Sequence, residues 1–393
     1  MNSYPGDVKD IYHKSASVDF LPEIDTDPLC CCEYFDHTGD RNHILACCCN
    51  CVDVDESFDS LISGRTVPVE KQRGMLLTFQ DRLRIPWRGG AKQITVDNVL
   101  PVVLLVSLQL LAALDFYCCL VVFALIPLLL AYLKRFLGRV LPKTKFFALW
   151  MFWSGIYLVA LFELAVPLLE LLPEENVAFV LLMTLSFFCF YKTNQRAAMN
   201  HICQVQYKED SSSMINGDSQ TSILISDRED SDESDGRLAC QICRKYVPPR
   251  TYHCKVCGTC IIKQDHHSVW LNCCVGRSNH RYFLGGCVFS LLALWLFANL
   301  ALTSVCHPTP IFTVFGVTVM LPDDCTDIFF QYDIALSFTG AVYALMMSVF
   351  ILISLLKQSC FISRGCTGIE WQRDEHVNRR NCLVNWKMFC MGQ

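Results

Sequence analysis

Long, almost uncharged runs of apolar residues set the pattern of this 393-residue chain. The first covers residues 99–133 and contains a single charged residue, Asp115. One crossing of a bilayer takes about 20 apolar residues, so this run predicts a tight hairpin of two spans that turns near Asp115. Each later run predicts one span, over residues 147–166, 177–191, 282–305 and 334–356. The pattern therefore predicts an all-α polytopic membrane protein with about six transmembrane helices.

The charges of the loops predict the orientation of these spans, because basic residues stay on the cytosolic side. The segment 134–145 contains five basic residues, whereas the loop after residue 166 contains Glu170, Glu174 and Glu175 and no basic residue. Six spans with both chain ends in the cytosol fit these charges. We therefore expect an integral protein of the endomembrane system, in the Golgi, the ER or the plasma membrane, with residues 240–281 on the cytosolic side.

Composition divides the chain into six segments. These are a cysteine-rich N-terminal region (1–93), four spans (94–191), an acidic serine-rich linker (192–239), a segment rich in cysteine and histidine (240–281), two spans joined by a lumenal loop (282–356) and a cytosolic tail (357–393). The linker cannot bury a core and is expected to be disordered. In the N-terminal region, the helical spacing of Met75, Leu76, Phe79 and Leu83 predicts a short helix that lies on the membrane surface or packs on protein.

The chain contains 25 cysteines and carries a formal net charge of −5. The negative charge argues against a nucleic-acid partner, which would need a basic face. Most cysteines fall in segments expected in the reducing cytosol, so metal ligands, acylation sites or catalytic thiols are the better interpretations. Cys306 and Cys325 share the expected lumenal loop, where a disulfide is one of two open alternatives. The clusters 30–32 and 47–51 suit acyl acceptors, a small metal site or plain surface cysteines.

Residues 240–283 have the spacing of metal ligands. They read CQICRKYVPPRTYHCKVCGTCIIKQDHHSVWLNCCVGRSNHRYF. A Cys-x-x-Cys pair brings two sulfurs to one ion without strain, and eight cysteine and histidine ligands within 35 residues suffice for two closed four-ligand zinc sites. The alternative, a run of reduced cysteines that bind nothing, is disfavoured by this density.

This spacing resembles the cysteine-rich domain of the DHHC protein S-acyltransferases (palmitoyltransferases), from the first Cys-x-x-Cys through Asn279 and Phe283. The place of the segment between two spans is also similar, and the cysteine-rich extension with two extra leading spans resembles one branch of that family. The resemblance implies two structural zinc ions. The first would be bound by Cys240, Cys243, His253 and Cys260, and the second by Cys254, Cys257, His267 and Cys274.

The resemblance also implies a reactive group formed by Asp265, His266 and position 268. In the family, a cysteine at this position attacks the thioester of a long-chain acyl-CoA such as palmitoyl-CoA and becomes acylated. The acyl group then passes to substrate proteins with membrane-proximal cysteines. His266 would take the thiol proton, and Asp265 would orient His266. The implied partners are therefore acyl-CoA, membrane lipid and these substrate proteins.

Ser268 departs from this pattern, because a hydroxyl group is far less acidic and less nucleophilic than a thiol. We therefore expect a catalytically dead S-acyltransferase whose fold, zinc sites and acyl-CoA binding survive. Three explanations stay open: an introduced Cys→Ser change, a natural non-catalytic relative that acts as a membrane scaffold for partner proteins, and a serine that His266 activates to form an oxygen ester. Cys273 would be a surrogate thiol, but it lies five residues away along the chain and is set aside.

Two further features of the resemblance follow the last span. Thr367 and Glu370 belong to a Thr-Gly-Ile-Glu sequence that resembles the family's Thr-Thr-x-Glu motif without its second threonine. Asn385 resembles the asparagine of the family's C-terminal aromatic element. Like Asn279, these residues would be structural.

The acyl-CoA itself would be bound in two parts. The spans are expected to enclose the acyl chain, because burial of a methylene is worth about 0.8 kcal/mol. Arg277 and Arg281 are expected to bind the anionic head group of CoA at the cytosolic face.

Overall fold

The computed structural model describes residues 30, 32–35, 39, 41–45, 51–141, 143–164, 166, 173–202, 238–314, 317–374 and 381–391. Within these residues it contains ten α-helices: α1 (Cys51–Ile62), α2 (Val69–Arg82), α3 (Val96–Ala112), α4 (Phe116–Val140), α5 (Phe146–Leu164), α6 (Pro173–Gln195), α7 (His280–Val305), α8 (Tyr332–Arg364), α9 (Gly368–Gln372) and α10 (Cys382–Met391).

The strands that the structure describes are short and form antiparallel pairs: β1 (Glu33–Phe35) with β2 (Arg41–His43), β3 (Arg84–Ile85) with β4 (Lys92–Gln93), β5 (Leu238–Cys240) with β6 (Lys245–Val247), β7 (Thr251–Cys254) with β8 (Thr259–Ile262), β9 (His266–Ser268) with β10 (Cys273–Val275), and β11 (His307–Val314) with β12 (Val317–Asp324). Helices carry the architecture, and three of the hairpins form the cysteine-rich segment.

The long apolar run at residues 99–133 folds as two helices, α3 and α4. The helices are separated at residues 113–115, where Asp115 is the N-cap of α4 and its Oδ2 accepts a hydrogen bond from the backbone N–H of Tyr117 (3.1 Å). An aspartate is favoured at this position because its carboxylate satisfies a backbone donor that has no partner within the helix. The apolar run is therefore divided into two helices near Asp115, where the turn was predicted.

In the part of the chain that the structure describes, five helices, α4 to α8, are long and apolar enough to cross a membrane. The remaining predicted span, the first in chain order, corresponds to α3. This helix has 17 residues and lies at the lower end of the lengths that cross a bilayer. The fold class, a polytopic helical membrane protein, is confirmed.

The last span is longer than its hydropathy predicts. We expected it to end at residue 356, whereas α8 continues to Arg364 and has 33 residues. At a rise of 1.5 Å per residue such a helix is about 50 Å long, so it extends well beyond a hydrocarbon core of roughly 30 Å. Its final turns carry Gln358 to the cysteine-rich segment.

Aromatic side chains fill the centre of the bundle. Phe162 of α5, Phe179 of α6 and Phe297 of α7 are buried and in mutual contact, with ring centroids 4.6 to 5.8 Å apart. Nearby, the buried Trp150 donates its indole N–H to the hydroxyl oxygen of Tyr343 on α8 (3.1 Å). These contacts join the four helices on which the cysteine-rich segment rests.

The beginning of the predicted linker belongs to the fold, which corrects its boundary at residue 192. Helix α6 continues to Gln195, and a 3-10 turn follows at Ala197–Asn200. Asn200 is buried and bonds to Asn279 and to the backbone N–H of Ser278, so side-chain contacts order this stretch despite its polar sequence. The acidic part of the linker, residues 203–237, lies outside the described residues.

The loop between α7 and α8 contains the β11–β12 hairpin and a disulfide bond. Cys306 and Cys325 form this bond, with an S–S distance of 2.08 Å, so the disulfide alternative is confirmed.

The described residues up to 67, together with 74–94, form a compact unit of their own. In it, the guanidinium of Arg84 lies over the ring of the buried Tyr34 (4.0 Å) and forms an ion pair with Asp81 (2.6 Å). The predicted helix corresponds to α2, although it ends at Arg82 and leaves Leu83 outside. Of the two cysteine clusters, residues 31 and 47–49 lie outside the described residues.

Candidate metal centres and active site

The structure brings the eight predicted metal ligands together as the two predicted sets of four. In each set, the sulfur atoms and the ring nitrogen lie within 4.8 Å of one another. The first set is Cys240, Cys243, His253 and Cys260, and the second is Cys254, Cys257, His267 and Cys274. Each set could hold one metal ion.

The distances within the sets fit a tetrahedral zinc ion. Such an ion holds its sulfur and nitrogen ligands roughly 3.3–3.8 Å apart, given bond lengths of about 2.0–2.3 Å. In the first set, the sulfur of Cys243 lies 3.2 Å from Nδ1 of His253 and 3.6 Å from the sulfur of Cys260. In the second, Nδ1 of His267 lies 3.4 Å from the sulfur of Cys257 and 3.5 Å from that of Cys274. Three cysteines and one histidine are also a donor set that zinc favours.

Both Cys-x-x-Cys turns have the same backbone geometry. The residue after the second cysteine adopts a positive φ, with 53° at Arg244 and 72° at Gly258. Its N–H bonds to the carbonyl of the first cysteine at 2.8 Å in both turns. The backbone N–H groups of Cys243 and Cys257 point at the sulfurs of the first cysteines (3.5 and 3.4 Å), which stabilises negative charge there.

The β9–β10 hairpin separates the metal ligands from the candidate reactive residues. His267 and Cys274 are paired across the ladder, and both belong to the second metal set. Since alternate residues of a strand point to opposite faces, His266 and Ser268 project to the other face. One face of the hairpin therefore serves the metal, and the other carries the residues expected to react.

The buried carboxylate of Asp265 is held by three donors. Its Oδ2 accepts from Nδ1–H of His266 (2.6 Å) and from the amide of Gln358 (2.7 Å), and its Oδ1 accepts from the backbone N–H of Gly368 (2.7 Å). Burial alone would raise the pKa of Asp265, but the hydrogen bond from His266 and the nearby His280 outweigh it, so this pKa lies well below its usual range.

This arrangement determines the tautomer of His266. A carboxylate can only accept, so the proton of the neutral imidazole is on Nδ1, and Nε2 is left as an acceptor. The imidazole ring also makes an edge-to-face contact with Phe283 (5.3 Å between centroids), which limits its rotation.

Three contacts around this pair have no signal in the local sequence. Gln358 bridges Asp265 and Nε2 of His280 (2.7 Å), and it appeared in the sequence only as a polar residue after an apolar run. Gly368 replaces the family's second threonine, yet its backbone N–H reaches Asp265. Arg250 forms a two-point ion pair with Glu370 (2.6 and 2.7 Å), a contact that no local pattern signals.

The Thr-Gly-Ile-Glu sequence forms a capping box at the start of α9. The hydroxyl of Thr367 accepts from the backbone N–H of Glu370, and the carboxylate of Glu370 accepts from the backbone N–H of Thr367. Because the same carboxylate binds Arg250, the motif links the end of α8 to the cysteine-rich segment.

The two predicted structural asparagines are buried and hydrogen-bonded. Asn279 accepts from the N–H of Gly276 and the amide of Asn200, and it donates to the carbonyls of Thr193 and Cys274 at 2.9 Å each. It thus joins α6, the β9–β10 hairpin and α7. Asn385 of α10 donates to the carbonyl of Ser363 (2.8 Å) and holds α10 against α8.

A basic pocket lies between the cysteine-rich segment and the ends of α7, α8 and α10. Its lining includes Arg277 and Arg281, the two residues expected to bind the head group of CoA, together with Arg250, Lys263 and His280. Burial and the neighbouring charges of Arg250 and Arg277 lower the pKa of Lys263, which indicates a concentration of positive charge. The carboxylate of Glu370 neutralises Arg250, but Lys263, Arg277 and Arg281 still give the pocket an excess of positive charge.

The loop after Ser268 is packed into the helical bundle. Val269 and Trp270 contact its core, and the indole of Trp270 meets the ring of Phe147 on α5 edge to face (5.3 Å). Ser268 is 4% exposed, and Cys273, its partner across the hairpin, is 6% exposed. Burial, with the nearby Cys257, raises the pKa of Cys273 to about 12, so its thiol keeps its proton at neutral pH unless a base removes it.

Comparison with known proteins identifies relatives over almost the whole chain. A sequence model of the DHHC palmitoyltransferase family matches residues 233–375. Palmitoyltransferase ZDHHC23-B of Danio rerio is 31% identical over 378 residues, which cover 90% of this chain and 87% of the relative. Palmitoyltransferase ZDHHC23 of Homo sapiens is 28% identical over 89% of this chain and 91% of the relative. Probable protein S-acyltransferase 13 of Arabidopsis thaliana is 35% identical over 148 residues, which cover 37% of this chain and 44% of the relative.

The matched residues 233–375 contain both candidate metal sets, the Asp265–His266 pair and the capping box at Thr367. The likeness to the Danio rerio protein extends well beyond them. The chain belongs to the DHHC palmitoyltransferase family.

Proposed function

We propose that this chain carries the S-acyl-transfer machinery of its family, and that Ser268 blocks the step at that position. In this proposal the protein binds a long-chain acyl-CoA, palmitoyl-CoA above all, for transfer of the acyl group to protein cysteines through an acyl-enzyme intermediate. The observation that carries the proposal is the Asp265–His266 pair, joined at 2.6 Å in a buried setting two residues from Ser268.

Asp265 and His266 would act as orienter and base. Because Asp265 accepts from Nδ1–H of His266, the ring presents Nε2 for proton transfer. In the family reaction this nitrogen would take the proton of the attacking thiol and return it to the leaving CoA thiolate. It would do the same for the thiol of the substrate protein in the second transfer. Gln358 and Gly368 would be positioning residues that act through Asp265.

The basic pocket would bind the phosphates of CoA. Arg277 and Arg281 are exposed at its edge, and Lys263 adds charge at its base, so they suit an anionic head group. The acyl chain would extend along the apolar cluster of Phe283 and Cys287, which partly buried residues of α5, α6 and α8 complete.

The two metal sets would each bind a structural zinc ion, which when bound holds four ligands rigid and supplies no reactive position. The ligands of the second set include His267 and Cys274, the central pair of the β9–β10 hairpin. A fixed central pair would hold His266 and position 268 in register with the basic pocket.

Ser268 would remove the acyl-enzyme step at this position, since a serine has essentially no alkoxide at neutral pH. The side chain is nearly isosteric with cysteine, so the rest of the site would keep its geometry. Ser268 also favours a second candidate function, a non-catalytic membrane scaffold that binds partner proteins through the zinc domain.

Protein substrates would present cysteines close to the membrane, because the reactive position lies where the cysteine-rich segment meets the helices. The loop charges support a cytosolic zinc domain and cytosolic chain ends, in a membrane of the endomembrane system.

Restoring the cysteine tests the proposal. The full-length Ser268→Cys variant is incubated with an alkyne analogue of palmitoyl-CoA, and thioester at position 268 is mapped by mass spectrometry. We expect label at this position, reduced about a hundredfold by an added His266→Ala change, because general-base catalysis contributes at least that much. Absence of label at position 268 in a folded Ser268→Cys protein would favour the scaffold.

A further inference from the structure

The β9–β10 hairpin places a second thiol beside position 268. Ser268 and Cys273 are directly opposite each other in the antiparallel ladder. Opposite residues point to the same face, with Cβ atoms about 4.5–5.5 Å apart. Ser268 and Cys273 are five positions apart along the chain but adjacent in space, because the backbone reverses direction between the two strands.

Cys273 faces away from the metal set although it precedes a metal ligand. The neighbouring pair, His267 and Cys274, points its Nδ1 and sulfur at each other across 3.5 Å within the second set. Successive residues of a strand alternate between faces, so Cys273 projects to the opposite face, which also carries His266 and Ser268. Its sulfur is thus separate from the eight ligands.

The surroundings of Cys273 suit an acylated thiol. The residue is buried in the same apolar cluster as Phe283 and Leu271, and the ring of His266 rests against that same Phe283. Met151 of α5, Phe190 of α6 and further apolar residues of α8 complete the cluster. Cys273 and the ring of the candidate base therefore share one apolar neighbour, Phe283, in the cluster along which an acyl chain would extend.

We propose that Cys273 is the acyl-accepting nucleophile of this chain, in the place left by Ser268. The inference rests on the proposed function, because it requires an acyl-CoA bound beside His266. It concerns only which residue receives the acyl group. Ser268 itself still does not become acylated.

The transfer balances without any further reactant. The sulfur of Cys273 attacks the thioester carbonyl carbon of acyl-CoA, so a carbon–sulfur bond forms to Cys273 and the bond to the CoA sulfur breaks. The thiol proton passes to Nε2 of His266 and from there to the leaving CoA thiolate, which departs as free CoA. A cysteine thiol of the substrate protein then takes the acyl group by the same exchange and restores the Cys273 thiol.

Four forms of the full-length protein test this inference: wild type, Cys273→Ser, Cys119→Ser, and the double variant Ser268→Cys with Cys273→Ser. Cys119 is the matched control, because it is a buried thiol (5% exposed) that lies in α4, outside the apolar cluster of Cys273 and outside both metal sets. Each form is incubated with the alkyne analogue of palmitoyl-CoA. Hydroxylamine-sensitive label is quantified and mapped by mass spectrometry, and the zinc content is measured to verify the fold.

We expect the wild type to carry a thioester at Cys273, and Cys273→Ser to lose at least about nine-tenths of the label, since a serine cannot replace a thiol nucleophile. Cys119→Ser should keep the label. The double variant should be labelled at position 268. An unlabelled wild type beside a labelled double variant would overturn the role of Cys273 and leave the proposed function standing. Absence of label from both, with zinc retained, would overturn both proposals, and label that survives in Cys273→Ser would overturn the role of Cys273.

Discussion

Asp265 is the residue on which the geometry of the candidate active site depends. Three donors fix its carboxylate, and they come from the same hairpin segment, from α8 and from the start of α9. Such an anchored carboxylate costs no rearrangement when it orients a base. The same anchoring couples the candidate active site to the length of α8, because Gln358 lies beyond the predicted end of that span.

The first prediction concerns Gln358. In a Ser268→Cys background, Gln358→Leu should slow acyl-enzyme formation about tenfold or more, because a hydrogen bond to a charged group is worth about 1.5–3 kcal/mol and Asp265 would lose one. Single-turnover labelling with palmitoyl-CoA measures the rate. Lys357→Ala, an exposed neighbour on the same turn, should leave it unchanged. An unaltered rate in Gln358→Leu would show that this donor does not position the pair.

At the scale of elements, the cysteine-rich segment is a set of short hairpins that depend on ligands and on buried asparagines. Strands of three or four residues have little stability of their own. Asn279 stabilises these short strands at the junction of α6, the β9–β10 hairpin and α7. Its side chain uses all of its hydrogen-bonding capacity there.

Asn279→Ala should therefore be strongly destabilising. It leaves the buried carbonyls of Thr193 and Cys274 and the N–H of Gly276 without their partner, and each such orphan costs about 1–3 kcal/mol. The thermal unfolding midpoint in detergent measures the effect. The matched control, Asn194→Ala, removes a single 3.3 Å bond to the carbonyl of Leu271 and should cause a much smaller shift. Equal midpoints for the two variants would contradict the joining role of Asn279.

The elements differ in how far the sequence predicts them. The metal sets follow from local spacing, since their ligands lie within 35 residues, and the structure groups them as expected. The hairpin at Asp115 follows from the length of an apolar run. By contrast, the bonds from Gln358 and Gly368 to Asp265 join residues 93 and 103 positions apart, and no local pattern encodes such pairs. The pairing of Cys273 with Ser268 is local, but it depends on where the chain reverses.

At the scale of the whole molecule, the basic pocket is formed only when the membrane helices and the cysteine-rich segment are in place together. Arg277 comes from the cysteine-rich segment, Arg281 from α7, and Ile362 and Phe389 from α8 and α10. Arg281 also donates to the carbonyl of Cys390 (2.9 Å), so the tail shapes the same pocket. An anionic ligand bound there would contact residues of several segments at once.

Charge reversal at Arg277 tests this pocket. Arg277→Glu should weaken binding of palmitoyl-CoA about tenfold at low ionic strength, because it turns an attraction for the phosphates into a repulsion. The difference from wild type should shrink as salt is added. Titration of a fluorescent palmitoyl-CoA analogue measures the affinity, and Arg244→Glu, an exposed charge that does not line the pocket, serves as control. Equal affinities for the two variants would place the head group elsewhere.

We propose that two closed metal centres hold Asp265 and His266 at the membrane boundary, and elemental analysis of the purified full-length protein counts the ions that these centres bind. We expect two zinc ions per chain, and fewer than two after Cys243→Ala or Cys257→Ala, because each variant removes one ligand of one set. Cys287→Ala, which removes a cysteine outside both sets, should keep two. A wild-type protein with clearly fewer than two zinc ions per chain would show that the two ligand sets are not both metal centres.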